Sequence, residues 1–286
     1  MDILLLIIFL FGLCWGSFLN VVAFRLVSGR SFFKMRSACP KCEQLIFWYD
    51  NIPLVSWILL KAKCRKCKES ISFLYPFIEL LTGFMLVLLY QRCLPKFSSL
   101  YYYLATNPVV EGFDISFANL AKQVPAQNYF SFFIFFIFLS ALIVATRTDF
   151  QAMVIPQICT FWLIPLGLIA SYFGFTYIST MQSLIGAILG YGLLWIIAFL
   201  FKTFTKRDGL GIGDMELLAM IGSFLGPVGV WFALMLGSFS GLILGGLFLL
   251  ILKKDRFTRI PFGPFLGLGA FLYFLFDQQI IFFFWG

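Results

Sequence analysis

Leu210-Gly211-Ile212-Gly213-Asp214-Met215-Glu216-Leu217-Leu218-Ala219 places a carboxylate where the basic stretch carrying Lys202, Lys206 and Arg207 gives way to apolar sequence. An acid at the edge of a hydrocarbon layer is costly to keep and is a functional candidate by default. Gly211 and Gly213 let the backbone turn tightly and let another segment come close to the carboxylate. A Gly-Asp turn is common, so its weight depends on a second acid reaching the same edge.

The rest of the chain supplies the hydrocarbon. Of 286 residues, 61% are hydrophobic and 12% charged, against about 25% charged in soluble domains. This composition defines an all-α polytopic membrane protein. The net charge of +8 is explained by basic loops beside membrane spans rather than by nucleic acid, which is not expected as a partner. Histidine is absent, which excludes histidine general bases, histidine metal ligands and a Ser-His-Asp triad. The first apolar run follows Met1-Asp2 with no basic n-region and no clear small-residue cleavage site, and is read as a span.

About eight spans are expected: residues 3–24, 73–94, 129–146, 154–175, 181–201, 215–225, 228–252 and 261–285. The sixth is short because Gly226-Pro227 interrupts it, and Ile155-Pro156 opens the fourth. Gly16-Ser17-Phe18-Leu19-Asn20 is a small, polar patch inside span one, suited to close helix contact. Span two carries Glu79, a carboxylate expected to face the bundle interior. Residues 95–128 form a near-neutral loop in which Lys96 and Lys122 stand against Glu111 and Asp114.

Between spans one and two lies the substantial hydrophilic segment, residues 25–72. Ten lysines and arginines there face Glu43, Asp50 and Glu69, which marks the segment as cytoplasmic. It holds Cys39-Pro40-Lys41-Cys42 and Cys64-Arg65-Lys66-Cys67. Two C-x-x-C knuckles about 20 residues apart can close a tetrahedral site of four thiolates around Zn2+, with no open position for water. Disulfides are the alternative, disfavoured on the cytoplasmic side. The apolar stretch between the knuckles, with Trp48, Tyr49 and Trp57, either lies on the membrane surface or packs as a small core on the metal site.

With eight spans, 18 of the 21 lysines and arginines fall on one side, which fixes that side as cytoplasmic. Asp149, at the end of span three, then reaches the same edge as Asp214. Two carboxylates brought within a few ångströms share a proton over part of the pH range. One can act as base on a water while the other, protonated, polarises a peptide carbonyl. The same pair in a transporter would relay protons or bind a cation. Their place at one membrane edge, and the lack of a visible inverted repeat, favour the protease.

The ordered motifs resemble the bacterial type IV prepilin peptidases, or leader peptidase/N-methyltransferases, within the G-x-G-D intramembrane aspartic proteases. The resemblance runs over nearly the whole chain. It is carried by residues 16–22, both cysteine pairs, Trp48-Tyr49-Asp50-Asn51-Ile52-Pro53, Ser56-Trp57, Tyr75-Pro76, Glu79-Leu80-Leu81-Thr82-Gly83, Ile155-Pro156 and Gly211-Ile212-Gly213-Asp214. It implies an enzyme of the bacterial inner membrane that serves type IV pilus and type II secretion systems. Such enzymes remove the basic leader of prepilins and pseudopilins after a glycine, at the cytoplasmic face. They then methylate the new N-terminus with S-adenosylmethionine.

By position, Asp149 and Asp214 take the catalytic roles, Gly211 and Gly213 support the catalytic loop, and Cys39, Cys42, Cys64 and Cys67 bind the metal. Glu43 and Glu79 are the candidates on the methyl-transfer side. The resemblance divides the chain into a first helix (1–24), a methyltransferase-associated four-cysteine domain (25–72), a second helix with periplasmic loop (73–128) and a six-helix peptidase domain (129–286). The chain departs from the family at Leu74, where arginine is usual, at Gln157, where an acid is usual, and at Glu216, where lysine is usual. Two other readings stay open: a peptidase without methyl transfer, and a non-catalytic scaffold or transporter with a zinc-knuckle binding module.

Overall fold

The computed structural model describes residues 3–29, 37–94, 126–206, 209, 211–247 and 261–285. Arg30, Lys34, Arg36, Arg207, Leu210, the loop 95–125 and the basic stretch from Lys253 to Arg259 lie outside them. Helices build the described part: α1 (Ile3–Ser28), α2 (Val55–Leu59), α3 (Leu74–Cys93), α4 (Ala126–Ala152), α5 (Ile164–Tyr172), α6 (Thr180–Thr205), α7 (Ile212–Ser240, continued by one π turn, Gly241–Gly245) and α8 (Gly263–Trp285). Only isolated bridges, and no strands, occur among the described residues.

Six segments are long and apolar enough to cross a membrane as single helices: Ile3–Ser28, Leu74–Cys93, Ala126–Ala152, Thr180–Thr205, Ile212–Gly245 and Gly263–Phe283. The sequence expectation was eight, and both differences have a physical cause. The stretch Gln157–Tyr172 is shorter, because two 3-10 turns (Gln157–Cys159 and Phe161–Leu163) precede α5. Its regular helix is opened by Pro165, not by Pro156, which caps the first 3-10 turn. Even so, it carries the chain across the bundle, from Ile155 beside Gly213 to Gly174 beside Gln127 at the other end of α4.

Ile212–Gly245, in turn, is not one straight rod. Gly226 has φ 75° and ψ −175°, a conformation open to glycine and closed to most other residues. A Cβ on Gly222 would lie 2.8 Å from Val230 Cγ2, whereas residues eight apart in a continuous helix are about 12 Å apart along its axis. The chain therefore folds back at Gly226-Pro227, and the expected spans six and seven are the two legs of a hairpin. Among the described residues, six helices are thus long and apolar enough to cross a membrane, Gln157–Tyr172 is a shorter apolar stretch, and one of the six folds back on itself.

Small residues set the close approaches. A Cβ on Gly186 would overlap the Gly222 carbonyl, and one on Gly190 the Leu218 carbonyl, so α6 lies directly on the first leg of α7. Gly12 and Gly16 bring α1 onto α3 at Gly83 and Glu79. The first leg of α7, from Met215 to Gly226, is buried throughout, so Asp214 enters a fully packed element. Outward faces of α1 and α6 carry Ile7, Phe11, Ile188 and Trp195, all exposed, as lipid-facing helices require.

Candidate active site and metal centre

The sequence places Asp149 at the edge where the chain leaves span three. The helix instead continues to Ala152, so Asp149 sits in its last turn, only 5% exposed. One of its oxygens, Oδ2, accepts the backbone N–H of Gly263 at 2.9 Å. That N–H is the first of α8, one of the donors a helix start leaves free for an anion. A Cβ at Gly263 would stand 2.9 Å from the same oxygen. Sequence reading missed Gly263, whose only signal was a Gly-Pro step ahead of an apolar run.

Asp214 lies in the first turn of α7 and is half-buried. Its backbone N–H donates to the Gly211 carbonyl at 3.2 Å, and a Cβ on Gly211 would sit 3.4 Å from its Oδ2. Ile155 bridges the two carboxylate-bearing elements: it packs where a Cβ on Gly213 or on Gly263 would go, at 2.9 and 3.2 Å. Asp214 Oδ1 is buried with no hydrogen-bond partner, a state that ordinary packing avoids and functional sites retain. Asp149 and Asp214 are thus brought to one corner, together with Gly211 and Gly213.

Glu216 turns away from this corner, as a residue two positions along a helix must. It is 5% exposed and accepts Gln157 Nε2 at 3.1 Å and Thr160 Oγ1 at 3.0 Å. Arg147, two residues before Asp149, also went unweighed in the sequence. It is 4% exposed, donates to Asn20 Oδ1 at 3.3 Å and Gln151 Oε1 at 3.0 Å, and lies over the Tyr75 ring. It ties the helix of Asp149 to α1 and α3. The small-polar patch of span one is occupied in the same way, since Asn20 Nδ2 donates to the Tyr75 carbonyl at 3.2 Å.

The four cysteines converge: Sγ atoms of Cys39, Cys42, Cys64 and Cys67 all lie within 4.8 Å of one another. The two knuckles repeat one geometry. Ala38 bridges Leu45 as Lys63 bridges Ser70, and Glu43 and Lys68, each following the second cysteine, take φ 55° and 59°. The Cys39–Cys67 Sγ separation is 3.8 Å, the edge of a tetrahedron with metal–sulfur bonds of about 2.3 Å. The N–H groups of Cys67 and Lys66 hold the Cys64 thiol down at about 7. Cys67 goes the other way, to about 11: the Glu69 N–H favours its thiolate, but desolvation and competition from the other thiols outweigh it.

Beside this centre, α1, the knuckle segment and α3 enclose a cavity of about 390 Å³. Asn20, Phe47, Trp57, Tyr75 and Glu79 are among its walls, and neither Asp149 nor Asp214 is. Glu79 is 7% exposed and accepts the Leu54 N–H at 2.9 Å. Glu43 is an exposed turn residue outside the lining. The apolar stretch between the knuckles has an inward and an outward side. Trp57 packs inward, donating to the Ile71 carbonyl, while Val55, Ile58 and Leu59 face outward on α2 and Trp48 is 76% exposed.

Asp149 and Asp214 thus sit at the ends of two helices that are long and apolar enough to cross a membrane. Residues 10–93 match the Bacterial Peptidase A24 N-terminal domain and residues 136–246 the Type IV leader peptidase family. Over 96% of its length the chain is 31% identical to a protein of Aeromonas salmonicida, covering 91% of it. It is 31% identical to one of Stutzerimonas stutzeri (94% of this chain, 89% of the relative) and 30% identical to one of Pseudomonas aeruginosa (95% and 90%). All three are named prepilin leader peptidase/N-methyltransferase. No solved structure matches the chain. The chain belongs to the type IV leader peptidase family.

Proposed function

We propose that this chain is a prepilin leader peptidase and N-methyltransferase of the bacterial inner membrane. It cleaves type IV prepilins and pseudopilins after a glycine at the cytoplasmic face. The observation that carries the peptidase reading is that Asp149 and Asp214 meet across Ile155, with one oxygen held by the Gly263 N–H and another buried without a partner. One carboxylate takes a proton from water as the water attacks the scissile carbonyl, and the other, protonated, donates to the carbonyl oxygen. As the tetrahedral intermediate collapses, the first carboxyl passes its proton to the leaving amine and the C–N bond breaks. The second carboxylate takes back a hydroxyl proton from the intermediate, which regenerates the pair. Cleavage of a purified prepilin by Asp149→Ala and Asp214→Ala protein in detergent tests this; normal cleavage by either removes the pair from the mechanism.

The four-cysteine geometry supports one structural zinc per chain, bound by Cys39, Cys42, Cys64 and Cys67. Metal analysis after C39S and C67S substitution is expected to show its loss. The cavity beside it fits S-adenosylmethionine in size and chemistry, with a buried carboxylate and aromatic faces for a cationic ligand. When bound, the donor supplies an electrophilic methyl group. Glu79, fixed by the Leu54 N–H, would hold the donor's positive charge, and Trp57 and Tyr75 would offer ring surface to it. Because Glu43 lies outside the lining, the methyl-side role falls to Glu79.

We divide the chain accordingly into helix 1–24, the methyl-transfer domain 25–72, the second helix and periplasmic loop 73–128, and the peptidase domain 129–286. The N-terminal mass of pilin matured by the enzyme separates this reading from a peptidase that does not methylate.

A further inference from the structure

Gln157 and Glu216, two of the places where the chain departs from its family's pattern, bond to each other. Glu216 stands two residues after Asp214, in the buried leg of α7. Both its oxygens are taken up by neutral donors from the segment that leaves the helix of Asp149, Gln157 Nε2 at 3.1 Å and Thr160 Oγ1 at 3.0 Å. Thr160 is fully buried and joins the two 3-10 turns with φ −126° and ψ −79°. Four residues after Asp149, Met153 takes φ 53° and its N–H closes on the Asp149 carbonyl at 2.9 Å. From there the segment passes Ile155 over Gly213 and ends in the two bonds to Glu216. It runs from one carboxylate to the turn that carries the other.

We propose that Glu216 is a positioning residue for cleavage: with Gln157 and Thr160 it clasps the segment leaving Asp149 onto the first turns of α7. The clasp sets the separation of Asp149 from Asp214. It rests on the reading that these two aspartates carry cleavage. The role depends on the hydrogen bonds to Gln157 and Thr160 and not on charge. A glutamine at 216 can keep both, its carbonyl accepting from Thr160 and its amide donating to Gln157 once the Gln157 amide is turned over. Alanine keeps neither.

The test uses the full chain in detergent with purified prepilin, and kcat and KM are measured separately. Glu216→Ala is expected to lower kcat by about 10- to 100-fold with KM little changed, since misplacement of a reacting group by about 1 Å costs that much. Glu216→Gln is expected to recover most of that loss. Gln157→Ala and Thr160→Val should each fall between. Together they should fall no lower than Glu216→Ala, because the three side chains form one unit. Methyl transfer to a peptide with a free N-terminal phenylalanine should stay at the wild-type rate in all of them, which reports an intact fold.

Wild-type kcat in Glu216→Ala overturns the proposal. So does a Glu216→Gln protein as slow as Glu216→Ala with methyl transfer intact, which would assign the role to charge. Should Glu216→Ala not fold, the Gln157→Ala/Thr160→Val protein decides: wild-type kcat there overturns the clasp. Normal cleavage by Asp149→Ala would instead overturn the aspartate pair itself, a separate failure.

Discussion

Gly263→Ala is the most direct probe of how Asp149 is held. The new Cβ would stand 2.9 Å from Asp149 Oδ2, 3.4 Å from Asp149 Cβ and 3.2 Å from Ile155 Cδ1. Ordinary contact begins near 3.4 Å, so the carboxylate must retreat by about half an ångström or rotate away from the helix start. Either movement stretches the 2.9 Å bond from the Gly263 N–H toward 3.4 Å, beyond good hydrogen-bond geometry.

A hydrogen bond to a charged group contributes about 1.5–3 kcal/mol. Its loss in the transition state lowers kcat by about 10- to 100-fold. KM should change little, because the new Cβ acts through the Asp149 carboxylate. Overpacking adds a stability cost of about 1–3 kcal/mol, so thermal unfolding is followed on the same preparation. The assay is initial-rate cleavage of purified prepilin in detergent over a range of concentrations. A folded Gly263→Ala protein with kcat within about twofold of wild type would refute the reasoning.

Gly226→Ala should destabilise the protein by about 1–3 kcal/mol, because φ 75° at the hairpin is closed to alanine; the thermal midpoint reads it. In metal-stripped protein, Cys64, held at about 7, should react with iodoacetamide at a rate that climbs through pH 7 and levels by pH 8. Cys67, at about 11, should still be gaining rate at pH 9. Pulsed alkylation with mass spectrometry follows both, and zinc should protect both. Glu79→Gln should lower methyl transfer at least about tenfold while leaving cleavage intact, read from the N-terminal mass of the product and from binding of radiolabelled S-adenosylmethionine.

The membrane class and the convergence of the four cysteines were legible because each rests on local facts, hydrocarbon length and cysteine spacing. Gly226-Pro227 already marked the break at which α7 folds back. What misled was the helical regularity of span four, since proline at 156 starts a 3-10 turn as readily as an α-helix. Gly263, Arg147 and the cavity walls could not be read, because their partners lie 114, 127 and 55 positions away in the chain.

Apolar length and basic loops leave few ways to thread the chain, and they point to two carboxylates meeting at one edge of a helical bundle. Tertiary structure alone decided what each carboxylate meets there. The Gly263 amide holds Asp149, Asp214 Oδ1 is left without a partner, and Glu216 is turned onto Gln157 and Thr160. Those are properties of packed distances of about 3 Å between segments remote in the chain, and no local pattern of residues encodes them.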